Sequence, residues 1–398
     1  MKRIQRNIFI NYIYTGIKCM DMTSSIWVLY LAYRGMNLAE IGLLEGIFHL
    51  TSMLFEIPTG AIADLLGRKK TIVLSRISAL IATLLMISAN GFWGFAISFI
   101  FSAASFNLSS GSEEALVYDS LKQLGKEEQY VKVNGRLNFI IEVTQGIGAF
   151  LGALLAERSY LLSYSIAIIF TIVALLLALG FEEALIYEKE EKVSFRVHFK
   201  LTMQLIKSNM ELAFLLVYYP IILAISAIIY FYGQQYFAEQ GVSKVGIAII
   251  FLLNSVLAGG GALASNYLVK KLRHHTTTIV ALLIAVCMVG FYWSEQWFSI
   301  LLFCFIGGLT AVLQPISSGA MNKLIPSKQR ATLISVQSMA FSIMMILFFP
   351  LSGVIGDLVG LKVTFVLLGL VLVICVGIGY KISKYFLSYK GDKTYVRI

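Results

Sequence analysis

The stretch Glu56-Ile57-Pro58-Thr59-Gly60-Ala61-Ile62-Ala63-Asp64-Leu65-Leu66-Gly67-Arg68-Lys69-Lys70 decides how the rest of the chain is read. It starts inside one apolar run and ends on three consecutive cations, directly ahead of the next run at Thr71. Cations between two spans are retained on the cytoplasmic side of a membrane, so this stretch marks a short inward-side turn. Gly60 leaves room for close helix contact and Gly67 for a tight turn. Asp64, near a helix end, is suited to face the positive N-terminus of another helix.

Outward from that turn the composition is that of a membrane protein. Of 398 residues 58% are hydrophobic and only 14% charged, with a mean hydropathy of +0.80; soluble globular domains carry about 25% charged residues. A helix needs about 20 mostly apolar residues to cross hydrocarbon. Such runs fall at about 8–33, 38–62, 71–90, 92–118, 132–156, 159–181, 211–236, 243–268, 276–293, 297–321, 331–356 and 362–380. The expected fold is an all-α membrane protein of twelve transmembrane helices in two six-helix bundles, 1–181 and 211–398, joined by a charged cytoplasmic linker at 182–210. The first run is too long for a signal-peptide core and lacks a cleavage site, so it reads as a retained span.

Charge placement tests the count. Of the 32 Lys and Arg residues, 27 fall on the side shared by both termini, leaving Arg34, Arg158, Lys244 and Lys362 opposite and Lys18 within a span. Both termini are therefore expected in the cytoplasm. The net charge of +10 lies in clusters between apolar runs, which argues against a nucleic-acid partner. Cys19, Cys287, Cys304 and Cys375 have neither metal-ligand spacing nor a pairing pattern and read as packing residues. No phosphate-cradling loop or catalytic triad is found, so the expectation is no cofactor, no metal and no enzymatic activity. The partners expected are a small-molecule substrate, protons and the lipid bilayer, with the chain functioning as a monomer.

Two further patterns refine this. Gly60-Ala61-Ile62-Ala63 with Lys69-Lys70 matches Gly261-Ala262-Leu263-Ala264 with Lys270-Lys271 at a constant offset, near the end of the second span of each half. Internal repeats of this kind place a transporter's substrate site near the midplane. Ionisable residues also concentrate in the first, second, fourth and fifth runs, where each must face protein or a wet cavity.

The opening stretch resembles the G-x-x-x-D-x-x-G-R-[KR] signature of the major facilitator superfamily, and the topology matches along essentially the whole chain. The resemblance implies a cytoplasmic latch built from Gly60, Asp64, Gly67, Arg68 and Asp119, with Arg136 as a further member, and Asp64 meeting Arg330-Ala331-Thr332. Ser109–Asp119 and Pro326–Thr332 look like a bacterial branch of drug:proton antiporters. Two departures stand out: Asn107 occupies the place of an arginine four residues before Gly111, and the fifth span carries Gly146, Gly148 and Gly152 without proline.

Inside the first run, Asn11, Tyr14, Lys18, Asp21 and Ser25 recur at helical spacing and should share a face. Lys18 and Asp21 could form a static ion pair at i,i+3. In the second run Glu45, His49, Ser52 and Glu56 do the same. Asp21, Glu56, Glu113, Glu114 and Glu142 are the candidates for proton coupling or for holding a cationic substrate. The second half offers a softer wall, with Tyr219, Ser226, Tyr230 and Gln314 as candidates to line the cavity. The function expected is proton-coupled efflux of amphipathic or cationic organic compounds, of multidrug type. Uptake of a small polar nutrient and a lipid-handling flippase are the alternatives.

Overall fold

The computed structural model describes residues 2–183, 203, 206–324 and 330–389, and every regular element among them is helical. Helices α1 (Lys2–Lys18), α2 (Trp27–Tyr33), α3 (Leu38–Leu66), α4 (Arg68–Ser88), α5 (Phe92–Ser109), α6 (Ser112–Gln123), α7 (Tyr130–Arg158) and α8 (Tyr160–Leu179) come first. Then follow α9 (Met210–Glu239), α10 (Lys244–Leu272), α11 (Thr276–Gly290), α12 (Gln296–Leu324), α13 (Arg330–Val359) and α14 (Leu361–Tyr389). Most of the linker expected at 182–210 lies outside the described residues.

Eleven segments among the described residues are long and apolar enough to cross a membrane, one of them joining α5 and α6. The first apolar run is not among them, because it is broken into α1 and the seven-residue α2. The cause is local. The Asp21 carboxylate accepts hydrogen bonds from the Thr23 N–H and the Thr23 hydroxyl, both at 2.8 Å, and the Asp21 N–H turns back to the Cys19 carbonyl. Such side-chain-to-backbone bonds compete with the helix ladder. The segment of turns and bends that follows lies on α7. A Cβ at Gly148 would meet the Asp21 nitrogen at 2.7 Å, one at Gly152 would overlap the Met22 carbonyl, and the Ser25 hydroxyl donates to the Ala149 carbonyl at 2.8 Å. The face expected to run from Asn11 through Ser25 therefore ends at Lys18.

Among the described residues, contacts divide the chain into two compact units. The first comprises Met1–Met36, Leu43–Glu190 and Val242–Ala248. Its core packs Tyr14 of α1, Ile72 of α4, Leu116 of α6, and Ala174 and Ala178 of α8 around Phe181. The start of α10 belongs here because the Lys244 ammonium donates to the Ala156 carbonyl at 2.6 Å and sits over the Tyr160 ring. The Glu157 carboxylate also accepts from the Val245 N–H at 3.2 Å.

The second unit comprises Asn37–Gly42, Glu191–Gly241 and Ile249–Ile398. Helix α9 is its spine: 67% of its apolar window is buried, against 28–44% for the other long helices after it. The start of α3 belongs to this unit. Asp357 at the end of α13 accepts from the N–H groups of Leu38 and Ala39 at 3.0 and 2.9 Å, and the Tyr232 hydroxyl donates to the Leu38 carbonyl at 2.7 Å.

Helices α3 and α10 are both 29 residues long, and each is followed by a residue at positive φ, Gly67 at 91° and Arg273 at 52°. By element, Gly67 pairs with Arg273, five residues beyond the register of the repeated sequence. Lys69 and Lys70 accordingly open α4, whereas Lys270 and Lys271 close α10.

Candidate functional site

The polar centre of the first unit forms where two helices are interrupted. Helix α1 stops at Lys18, and the fourth apolar run is broken at Gly111, whose φ of 73° suits glycine and ends α5 before α6 begins. Glu113 thus stands in the first turn of α6, where the helix dipole favours an anion, and Lys18 in the last turn of α1, where it favours a cation. The two meet: Lys18 Nζ lies 2.5 Å from Glu113 Oε2, and the Tyr14 hydroxyl donates to Glu113 Oε1 at 2.8 Å. Both carboxylate oxygens are therefore engaged. Tyr14 is fully buried, and Lys18 and Glu113 are mostly so. This replaces the expected Lys18–Asp21 pair; the break between α1 and α2 turns Asp21 into an exposed turn former bonded to Thr23.

Around this triad the polar groups are ordered. Arg76 of α4 is buried and its Nη2 donates to the hydroxyls of Ser75 and Ser105 at 2.7 and 3.3 Å. Asn107 of α5 takes the Ser52 hydroxyl at 2.7 Å and gives its amide to the Ser52 carbonyl at 2.5 Å, tying α5 to α3. Glu45 and His49, one turn apart on α3, lie 3.6 Å from each other.

A second cluster sits at the α3–α4 turn. Glu183 Oε1 accepts the Arg68 N–H at 2.6 Å and Oε2 the Lys69 N–H at 2.8 Å, so one carboxylate caps α4. Gly67 at its left-handed φ leaves the room Glu183 occupies: a Cβ there would meet that carboxyl at 2.7 Å. Arg68, Lys122 and Glu183 all act electrostatically on Asp119. Asn7 binds Ser120 and, through both ends of its amide, the backbone of Glu182, holding α1, α6 and the end of α8 together. The side chains of Gly60 and Asp64, and those of Arg330-Ala331-Thr332, lie outside the described residues. Arg136 is exposed on α7 and makes no ion pair among the described residues.

The remaining candidates are not gathered with Glu113. Glu56 is half-buried on α3, and Glu114 and Glu142 are exposed on α6 and α7; none of the three carboxylates has a hydrogen bond or ion pair among the described residues. Asn11 is buried on α1. In the second unit the expected wall separates. Tyr219 is fully buried with its hydroxyl 3.0 Å from that of Thr277, and Ser226 bonds back to the Ile222 carbonyl. Tyr230, 37% exposed, stacks within a cluster with Phe251 and Phe303, and Gln314 is exposed on α12. No group of three or more His, Cys, Asp or Glu placed to hold a metal occurs among the described residues.

The roles of two of these residues were missed by sequence reasoning, for different reasons. Glu183 reads as the start of a charged linker, and only the fold shows it turned back onto α4. Arg76, the one cation near an end of the third apolar run, was counted with the cytoplasmic cations, and its neighbour Ser75 was the available clue to how it is held.

The family model of the Major Facilitator Superfamily matches residues 8–294 and 276–388. The chain is similar to the uncharacterized MFS-type transporter YxaM of Bacillus subtilis, at 24% identity over 89% of this chain and 90% of that protein. It is also similar to the uncharacterized MFS-type transporter MJ1560 of Methanocaldococcus jannaschii, at 26% identity over 39% of this chain and 40% of that one. Among solved structures, the nucleoside transporter NupG superposes with a TM-score of 0.78 at 11% identity, covering 97% of this chain and 100% of that chain. A bacterial homologue of the human lysosomal transporter Spinster gives 0.76 at 15% identity, covering 97% and 98%. A D-xylose-proton symporter gives 0.68 at 13% identity, covering 95% and 97%.

Proposed function

The chain belongs to the major facilitator superfamily of membrane transporters, and from that premise we propose that it is a secondary transporter exporting amphipathic or cationic organic compounds in exchange for protons by alternating access. It acts in the cell membrane as a monomer, with both termini in the cytoplasm. The observation that carries this reading is the Lys18–Glu113–Tyr14 triad.

A carboxylate in hydrocarbon must be neutralised, and Glu113 is held by an internal ammonium. Lys18 is thus a placeholder cation. A proton delivered to Glu113 removes the charge that retains Lys18, and the ammonium of a substrate competes for the same two oxygens. Proton and substrate then exclude one another at one carboxylate, which is what exchange requires. Tyr14 supplies a donor to Glu113 in either protonation state and fixes the carboxyl's orientation. Asp21, Glu56, Glu114 and Glu142 are secondary in this scheme, as cavity charges that attract the substrate. The latch residues Gly60, Asp64, Gly67, Arg68, Asp119 and Arg136 control opening toward the cytoplasm.

The test is transport in proteoliposomes with an imposed pH gradient, using a fluorescent organic cation. Wild type should accumulate the dye against an opposing proton gradient, and Glu113→Gln should lose gradient-driven transport while still equilibrating substrate. Gradient-driven transport by Glu113→Gln at the wild-type rate would remove Glu113 from coupling. The nucleoside transporter and the D-xylose-proton symporter among the similar structures name the main alternative, uptake of a polar solute. In that case a neutral nucleoside or pentose would move in the same direction as the protons.

A further inference from the structure

We propose that Arg76 is an anion-binding residue, the anchor of a site in the first unit for a small monoanion, either a halide or an organic carboxylate.

The case begins with hydrogen-bond supply. A guanidinium has five N–H donors and no means of losing its charge. In Arg76 the two on Nη2 go to the hydroxyls of Ser75 and Ser105. Nε is buried without a partner, and Nη1 makes no hydrogen bond among the described residues. Three donors are therefore unspent on a residue 8% exposed.

Charge points the same way. Arg76 lies eight residues into α4, about 12 Å along its axis. It forms no ion pair among the described residues, and its hydroxyl partners are neutral. The nearby acid, Glu113, has both oxygens committed to Lys18 and Tyr14. Ile72, one turn before Arg76 on α4, packs in one core cluster with Tyr14, and Tyr14 donates to Glu113, which places Arg76 and Glu113 in one neighbourhood. The mostly buried charges there are the cations Lys18 and Arg76 against the carboxylate Glu113; Asp21, a second acid acting on the same neighbourhood, is exposed and bonded to Thr23. A surplus positive charge in low dielectric is costly, and one monoanion removes it. Ser75 and Ser105 would remain in place, holding one side of the guanidinium plane while the other presents its free donors.

The site does not depend on the direction or coupling of transport. The ligand can be bulk halide or the acid group of a substrate, and binding measurements separate the two. Purified protein in nanodiscs, buffered with gluconate, would be titrated with chloride, bromide and benzoate, following thermal stability and tryptophan fluorescence. Saturable stabilisation by at least one probe is expected. Arg76→Gln should weaken it roughly tenfold or more, as loss of a charge-assisted hydrogen bond implies, and Arg76→Lys should retain part of it. A response to chloride and bromide alone identifies an inorganic anion; a preference for benzoate identifies a carboxylate. Should Arg76→Gln fail to fold, Ser75→Ala with Ser105→Ala tests the same site and should weaken binding several-fold. Glu113→Gln separates the internal explanation: if wild type ignores every probe and only Glu113→Gln responds, Glu113 itself is the anion Arg76 awaits and the proposal fails. It fails too if no protein responds, or if Arg76→Gln binds as tightly as wild type.

Discussion

At the scale of single residues, the interior of the first unit is governed by where side chains are absent as much as by where charges sit. Gly148 and Gly152 let the broken segment after Lys18 lie against α7, and at Gly152 even a methyl group would overlap the Met22 carbonyl. Backbone cannot yield as a flexible side chain does. Gly152→Ala is therefore expected to destabilise the protein by about 1–3 kcal/mol, in the range of overpacking, read as a lower melting temperature in detergent. An unchanged melt would show that the segment can lift off α7 at no cost. The opposite sign is expected at Arg273, the non-glycine residue at positive φ among those described. A left-handed side-chain-bearing residue costs roughly 1–2 kcal/mol, partly offset by the entropy glycine loses on folding, so Arg273→Gly should gain about 0.5–1 kcal/mol. A melt of Arg273→Gly below wild type would mean that the arginine side chain outweighs its backbone.

Elements show where the sequence could be read and where it could not. Periodicity put Lys18 and Asp21 on one face because it assumes an unbroken helix, and Asp21 itself breaks that helix by binding Thr23. Once the ladder ends, the partner of Lys18 comes from 95 residues away, a distance no local spacing encodes. The acids were legible as costly groups needing partners; their pairing was not. Helix caps repeat the lesson. Glu183 on α4, Asp357 on α3 and Glu157 on α10 all satisfy N–H groups of helices remote in sequence. Asp357→Ala removes both acceptors from Leu38 and Ala39, so a loss of about 0.5–2 kcal/mol is expected from the missing cap. Asp357→Asn, which keeps an acceptor, should recover much of it; equal melts for the two variants would assign the effect to charge instead.

For the whole molecule, the open quantity is the number of crossings, and it decides which side the N-terminus occupies. Eleven crossings with an N-terminal segment lying flat would put the two termini on opposite faces; a twelfth would put them on the same face. Helix α1 has 17 residues and α2 has 7, about 25 Å and 10 Å of rise, so together they exceed the roughly 30 Å of hydrocarbon. The break thus divides one membrane-length apolar run into two helices, neither of which reaches across the hydrocarbon alone. Charge supplies the independent argument: Lys2, Arg3 and Arg6 precede this run, Arg34 follows it, and 26 of 32 cations lie on the side the twelve-crossing assignment makes cytoplasmic, with Lys18 and Arg76 inside helices and four opposite. In a background lacking Cys19, Cys287, Cys304 and Cys375, Lys126→Cys should react with a membrane-impermeant maleimide only in inside-out vesicles, and Asn90→Cys only in right-side-out ones. Protease-sensitive tags at either end should both be cut only in inside-out vesicles. An N-terminal tag cut from the outside, with the C-terminal one protected, would mean that α1 and α2 do not cross, and would take the Lys18–Glu113 pair out of the membrane interior along with them.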